Sequence, residues 1–355
     1  MKAAPRNTIL IGDAVEQLRT LPTASVDAVV TSPPFYMLRD YAAEGQIGLE
    51  GTVNEWAERL RVVMAEAHRV LVPTGSAWID LGDSYSRHPR YGAPAKSLLL
   101  APERLAIALV KDGWILRSKL IWAKTNPMPS SVTDRLANTY DVVLHLVKQR
   151  TYHYDIDAIR IPHRTGQGRA ERLGTTKRPA WAGPLAGSNS GLQRFRPPGI
   201  PGNLRGKNPG DVWSLPSAHY CGAHFATFPE KLIERPILAT CPLRVCTTCS
   251  APWRNGPGKT FVLGERQPAG RDPHVRRYPS RWRVLHQPGP LAAGCGCNAA
   301  TRPGLVLDPF FGTGTVGVVA ERLGRDWLGI EINPAYADQA WRRLGRSPTP
   351  EERAA

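Results

Sequence analysis

Residues 305–331, LVLDPFFGTGTVGVVAERLGRDWLGIE, decide how this chain folds. Gly304 to Asp308 reads as a short buried strand running into the loop Gly312-Thr313-Gly314. A helix over Thr315 to Leu323, stopped by Gly324, leads to a second strand (DWLGIEI) and a last helix from Pro334. Glycine lets backbone approach a bound molecule with no Cβ in the way. Gly312, Gly314 and Gly317 match G-x-G-x-x-G, and Glu331 ends the next strand, where a carboxylate can accept hydrogen bonds from ribose hydroxyls. That arrangement suits any adenosyl cofactor and does not separate a dinucleotide from S-adenosylmethionine. A tight strand-to-helix turn without a ligand is the plainer alternative.

Only 24 residues follow Glu331, too few for the remaining strands of a dinucleotide-binding unit. The N-terminal half is therefore expected to complete the sheet, with the parts in circularly permuted order. Its pattern fits. Ser25 to Thr31 (SVDAVVT) reads as a buried strand, and Val53 to Leu71 spaces Val53, Trp56, Ala57, Leu60, Val63, Ala67 and Val70 as one helical face. Gly75 to Leu81 is the next strand; Pro102 suits a first helical turn that Gly113 closes; Trp114 to Trp122 and Tyr140 to Val147 are two further strands. Alternating strands and helices predict an α/β fold with a largely parallel, doubly wound, Rossmann-like sheet.

The strand ending at Val30 runs into Thr31-Ser32-Pro33-Pro34-Phe35-Tyr36. Two prolines remove two N–H donors, so the turn presents carbonyl oxygens and a hydroxyl at the carboxyl end of a strand, where α/β sheets bind ligands. Acceptors without donors suit an amino group. The exocyclic amine of cytosine or adenine is a poor nucleophile because its lone pair is delocalised into the ring. Hydrogen bonds from its N–H groups to the Ser32 hydroxyl and the Pro33 carbonyl would localise that lone pair and aim it at a sulfonium methyl. Phe35, with Tyr36 beside it, offers a face on which to stack a base swung out of a duplex. A Pro-Pro loop with a core Phe is the competing account.

At this point the chain resembles the DNA amino-methyltransferases, which methylate N4 of cytosine or N6 of adenine. TSPPF is similar to their catalytic motif and DPFFGTGT to their cofactor motif, and catalytic motif first is the order of their β group. Gly222 to Pro229 (GAHFATFP) resembles the segment at the methionine end of the cofactor, and Ile11-Gly12-Asp13 the strand-end acid near the adenine. The resemblance implies a circularly permuted S-adenosylmethionine-dependent methyltransferase fold. It implies a catalytic loop of Ser32, Pro33, Pro34 and Phe35. It also implies cofactor contacts from Asp13, His224, Phe225, Thr227, Phe228, Asp308, Phe310, Gly312, Gly314 and Glu331. Serine at the first motif position is commoner in N4-cytosine enzymes, which favours cytosine over N6-adenine. Carbon-5 methylation needs a thiolate, usually from a Pro-Cys pair, and the chain has none.

The 355 residues carry 46 Lys and Arg against 30 Asp and Glu, a net charge of +16 that concentrates polyanions at the surface. Double-stranded DNA is the expected partner, with a cognate restriction endonuclease as a second, in a monomer or homodimer. Residues 151–210 lose all periodicity and hold ten basic against three acidic side chains, which suits target recognition or, alternatively, a flexible insertion. Five of the six cysteines fall between 241 and 297. Cys246-x-x-Cys249 and Cys295-x-Cys297 supply four thiolates for a closed structural zinc site, with Cys241 as a substitute ligand; reduced, unligated cysteines are the bland reading. No apolar run reaches the roughly 18 residues of a membrane span and no signal peptide is evident, so a cytoplasmic protein is expected.

The predicted organisation is a catalytic half (1–150), a basic recognition insertion (151–210), a cofactor segment (211–240), a cysteine-rich zinc insertion (241–300), a cofactor-binding half (301–345) and a flexible tail (346–355). An RNA amino-methyltransferase shares the catalytic loop. A non-catalytic nucleic-acid-binding protein would leave the intact SPPF unused, and a nicotinamide oxidoreductase would leave Ser32 to Phe35 unexplained. No general base stands out: Asp83 and His88 lie near a strand end, where exposed loop positions account for them.

Overall fold

The computed structural model describes residues 3–161, 205–218, 228–256, 258–264 and 282–347. These fall into two compact units: Met1–Ala158 with Gly210–Trp253 and Ala293–Ala355, and Ile159–Pro209 with Arg254–Ala292. In the second unit, Lys259–Gly264 pairs antiparallel with Trp282–Gln287, and Arg254–Asn255 with Leu291–Ala292. Most of the basic 151–210 segment, residues 162–204, lies outside the described residues.

The first unit is built on an eight-stranded sheet. Its strands are β1 (Thr8–Ile11), β2 (Val26–Thr31), β3 (Leu71–Leu81), β4 (Ile115–Lys124), β5 (Tyr140–Val147), β6 (Val212–Leu215), β7 (Leu305–Asp308) and β8 (Asp326–Glu331). Across the sheet the order is β1-β8-β7-β2-β3-β5-β4-β6. The C-terminal strands β7 and β8 thus sit between β1 and β2. Only β5 runs antiparallel to its neighbours, β3 and β4; the other five pairings are parallel.

The central strands are buried on both faces, which is why they read as unbroken apolar runs. Leu305 and Leu307 of β7 enter one core while Val306 enters the other, and in β8 Leu328 and Ile330 oppose Trp327 in the same way. Helices α1 (Ala14–Thr20), α2 (Val53–Val70) and α3 (Ala101–Lys111) cover the first face. Helices α4 (Glu230–Thr240), α5 (Thr315–Arg322) and α6 (Pro334–Arg343) cover the second.

The termini of α2 follow from its flanking residues. Thr52 and Glu55 form a reciprocal capping box at its start. At its end Leu71 is already extended and opens β3, four residues before the expected start at Gly75. Pro73 explains this, because it forbids further helix and biases Val72 to extended backbone. Asp27, buried in β2, accepts hydrogen bonds from Arg302 at 2.5 Å and from the Leu305 N–H at 2.8 Å. That pair fastens the late strand β7 beside the early strand β2.

Candidate active site

Two neighbouring strand ends build the site. Val306 and Leu307 of β7 lie opposite Ala28 and Val29 of β2, so Asp308 and Thr31 leave the sheet together. The Thr31 hydroxyl donates to Asp308 Oδ1 at 2.6 Å, and the Phe310 N–H donates to the same oxygen at 3.0 Å. Burial pushes the Asp308 carboxyl up to about 7, opposed by those two hydrogen bonds. Asp308 is buried and does not line the adjoining cleft, so its geometry is that of a positioning residue.

The cleft lies at the carboxyl ends of β1, β8, β7 and β2. Its empty space, open mouth included, is about 840 Å³. Gly12, Asp13, Ser32, Pro34, Phe310, Gly312 and Glu331 contribute to its wall, as does Phe228. Glu331 Oε2 accepts the Gly312 N–H at 2.7 Å and Oε1 accepts the Asn333 N–H at 2.9 Å. Burial raises its carboxyl above the ordinary glutamate value, while the backbone amides pull the other way. Each oxygen keeps a lone pair for a donor in the cleft. Asp13 caps α1, accepting from the amides of Val15 and Glu16.

Gly312 and Gly314 both have positive φ, +52° and +78°. A Cβ at Gly314 would come within 3.0 Å of Ala340 Cβ, and one at Gly317 within 2.9 Å of the Phe311 ring. Of the three motif glycines, then, Gly312 lines the cleft while the other two serve close packing. The wall fits an adenosyl cofactor on three counts. It presents the Asp13 and Glu331 carboxylates to hydroxyl or amino donors, apolar side chains at Phe310 and Ile332, and a buried Thr313 hydroxyl with no hydrogen-bond partner among the described residues. The expected contacts His224, Phe225 and Thr227 lie outside the described residues.

The other end of the site gathers around β3. Ser32 Oγ donates to Asp80 Oδ2 at 3.3 Å. Asp80 is buried, and among the described residues its second oxygen has no hydrogen-bond partner. Burial and the nearby Asp141 raise the Asp80 carboxyl well above the usual range, with Lys124 and the Ser32 hydroxyl acting in the opposite sense. Lys124 Nζ pairs with Asp141 at 2.6 Å. The Phe35 ring closes over Gly82: a Cβ there would meet the ring at 2.6 Å and Asp141 Oδ1 at 3.1 Å. The Trp56 indole N–H donates to the Pro34 carbonyl at 2.9 Å and pins the loop on α2.

Tyr36 departs from the sequence reading. It is 1 % exposed in the core between Trp56 and Tyr91, so Phe35 alone offers an accessible ring. Asp80, Asp141 and Lys124 were not anticipated. The available signal was a lone acid inside the apolar strand GSAWIDL, since a buried strand carries a carboxylate only for a reason. Asp83 accepts the Leu100 and Ala101 amides at the start of α3, and His88 caps a short 3-10 turn, so both are structural.

The sulfurs of Cys246, Cys249, Cys295 and Cys297 lie within 4.8 Å of one another, whereas Cys241 is buried in the core and outside that cluster.

The sheet order, the strand-end cleft and the serine-proline loop define a methyltransferase-like α/β protein. Residues 26–244 and 298–342 match the DNA methylase family of N6 and N4 enzymes. The chain belongs to that family of DNA amino-methyltransferases. It is 32% identical to the type II methyltransferase M.Cfr9I of Citrobacter freundii, over 95% of this chain and 87% of that one. It is 25% identical to the DNA adenine methyltransferase YhdJ of Escherichia coli, over 95% and 82% of the two chains. Among solved structures, its fold is similar to the PvuII cytosine-N4-specific DNA methyltransferase, with a TM-score of 0.55, 19% identity and coverage of 99% and 90%. None of the helices described is long and apolar enough to cross a membrane.

Proposed function

We propose that this chain transfers a methyl group from S-adenosylmethionine to N4 of a cytosine flipped out of duplex DNA, as the modification enzyme of a type II restriction-modification pair. The observation that carries the reading is the Ser32–Asp80 pair at the end of β2, next to the glycine loop. The bound cofactor supplies an electrophilic sulfonium methyl; everything else falls to this chain's side chains.

By donating its own proton to Asp80, the Ser32 hydroxyl turns its oxygen lone pairs toward an incoming amine N–H. With the Pro33 carbonyl as second acceptor, the amine is held with its lone pair free to attack. The nitrogen gains a methyl and must lose a proton; that proton passes to the Ser32 oxygen as the Ser32 proton moves to Asp80, which ends neutral. A buried carboxylate beside Asp141 binds that proton more readily than an exposed one would. Phe35 stacks the base. Glu331 and Asp13 hold the cofactor's donors, and Phe228 flanks its cleft. The basic 151–210 segment reads the target sequence, with Arg on guanine edges and the remaining charges on phosphate.

The test is methylation of mixed-sequence duplex DNA with radiolabelled S-adenosylmethionine, followed by digestion and chromatography of nucleosides. Label in N4-methylcytosine is expected. Label in N6-methyladenine would keep the mechanism and overturn the base. Cofactor binding without label in DNA or RNA would overturn the catalytic reading.

A further inference from the structure

The structure assigns a tetrathiolate zinc site to Cys246, Cys249, Cys295 and Cys297, independent of the catalytic reading above. A tetrahedral zinc with Zn–S bonds of about 2.3 Å puts its sulfurs roughly 3.8 Å apart. The four sulfurs already lie within 4.8 Å of one another. They come from two segments that the backbone holds side by side. Val245–Cys246 pairs antiparallel with Thr301–Arg302, and both the Thr247 amide and hydroxyl donate to the Ala300 carbonyl, at 3.0 and 2.9 Å.

The turns are shaped around the sulfurs. The Ser250 amide donates to the Cys246 carbonyl at 3.1 Å and closes the first turn. Each cysteine pair is followed at once by a residue in the left-handed region, Ser250 at φ 58° and Asn298 at φ 49°. Left-handed backbone is disfavoured for Ser250, whose Cβ crowds the following carbonyl oxygen, and is tolerated by Asn298. Two such turns, each directing a thiol pair to one point, are what a shared central ion would stabilise.

The occupant is a divalent, thiophilic, tetrahedral ion, for which zinc is the ordinary choice. Four thiolates complete the coordination shell, so the ion activates no water. Its work is mechanical. The chain leaves the first unit after Trp253 and returns at Ala293, and 45 residues separate Cys249 from Cys295. Clamping the ends of that excursion removes loop-closure entropy.

The experiment measures metal by mass spectrometry, and thiols by titration, on the full chain purified without chelator. One zinc per chain is expected. Cobalt exchange should give a thiolate-to-cobalt charge-transfer band with intense tetrahedral d–d bands. Cys249→Ser and Cys297→Ser should lose stoichiometric zinc, while Cys241→Ala keeps it; because variants can fail to fold, the cobalt spectrum of the unmutated chain stands alone as a test. Chelation should speed proteolysis within residues 250–294. A chain in which Cys246, Cys249, Cys295 and Cys297 all react freely with no metal bound, or with two disulfides by intact mass, overturns the proposal. Zinc that leaves without changing proteolysis overturns its mechanical role.

Discussion

The two sides of the candidate site, the glycine loop and the serine-proline turn, use carboxylates in opposite ways. At the glycine-loop end, the oxygens of Glu331 accept amides from Gly312 and Asn333, and Asp308 is held by Thr31 and Phe310. At the serine-proline end, the Asp80 carboxylate has, among the described residues, one hydrogen bond, one oxygen without a partner and a second acid, Asp141, close by. Satisfied carboxylates make a rigid receptor; an under-satisfied one keeps capacity for a proton or a donor that arrives later. On the proposed function, the contrast separates cofactor binding from proton transfer.

The comparison breaks most sharply at Asp80. Asp80→Asn should lower kcat by about 10²–10⁴-fold, the usual worth of a positioned proton acceptor, with cofactor affinity by calorimetry unchanged. Equal losses of cofactor binding and kcat would show that the two ends do not act separately. Ser32→Ala should behave like Asp80→Asn, and combining the two should cost little more than either alone, since both act on one proton.

Glu331→Ala should do the reverse. Hydrogen bonds to charged groups are worth about 1.5–3 kcal/mol, so the cofactor Kd should rise about 10–100-fold while kcat at saturating cofactor stays within a few-fold of the parent. A smaller effect tests the loop itself. Gly314→Ala forces a Cβ to 3.0 Å from Ala340 at φ +78° and should cost about 1–2 kcal/mol of stability, read as a lower Tm.

The smallest effect is expected in the pH profile. Asp80 must be ionised to accept a proton and its carboxyl is raised, so kcat/KM should fall as pH drops through a value above the usual aspartate range. Asp141→Asn removes a charge that raises Asp80, so the acid limb should move to lower pH. A limb that stays in place would leave Asp141 without influence on the base.

How much of this was legible beforehand depended on whether a feature is local. The β7-loop-α5 unit and the TSPPF turn are written in consecutive residues, and their periods and breakers act over a few positions. The helix face of α2 and the strand β5 were readable for the same reason. The extended start of β3 at Leu71 was missed although Pro73 stood there to signal it. Tyr36 looked like a base-stacking partner of Phe35, but one residue further along the loop the side chain turns into the core against Trp56.

Long-range encounters were not readable. Asp80, Asp141 and Lys124 stand on three different strands, and only the antiparallel insertion of β5 between β3 and β4 brings them beside Ser32. Lone acids in apolar strands announce that something must satisfy them without saying what. Cysteine spacing announced two thiol pairs, while the ribbon of Val245–Cys246 with Thr301–Arg302 decided that they meet.

By itself, then, the sequence determined the class of sheet, the glycine loop, the serine-proline turn and the basic character that suits DNA, because each is encoded in short-range pattern or in summed charge. Tertiary structure alone decided which carboxylate meets Ser32 and which motif glycines face the cleft, and it brought together the four cysteines that the sequence had named. Those outcomes depend on strand order and register, which place residues more than forty positions apart within a hydrogen bond of each other, as Ser32 and Asp80 are.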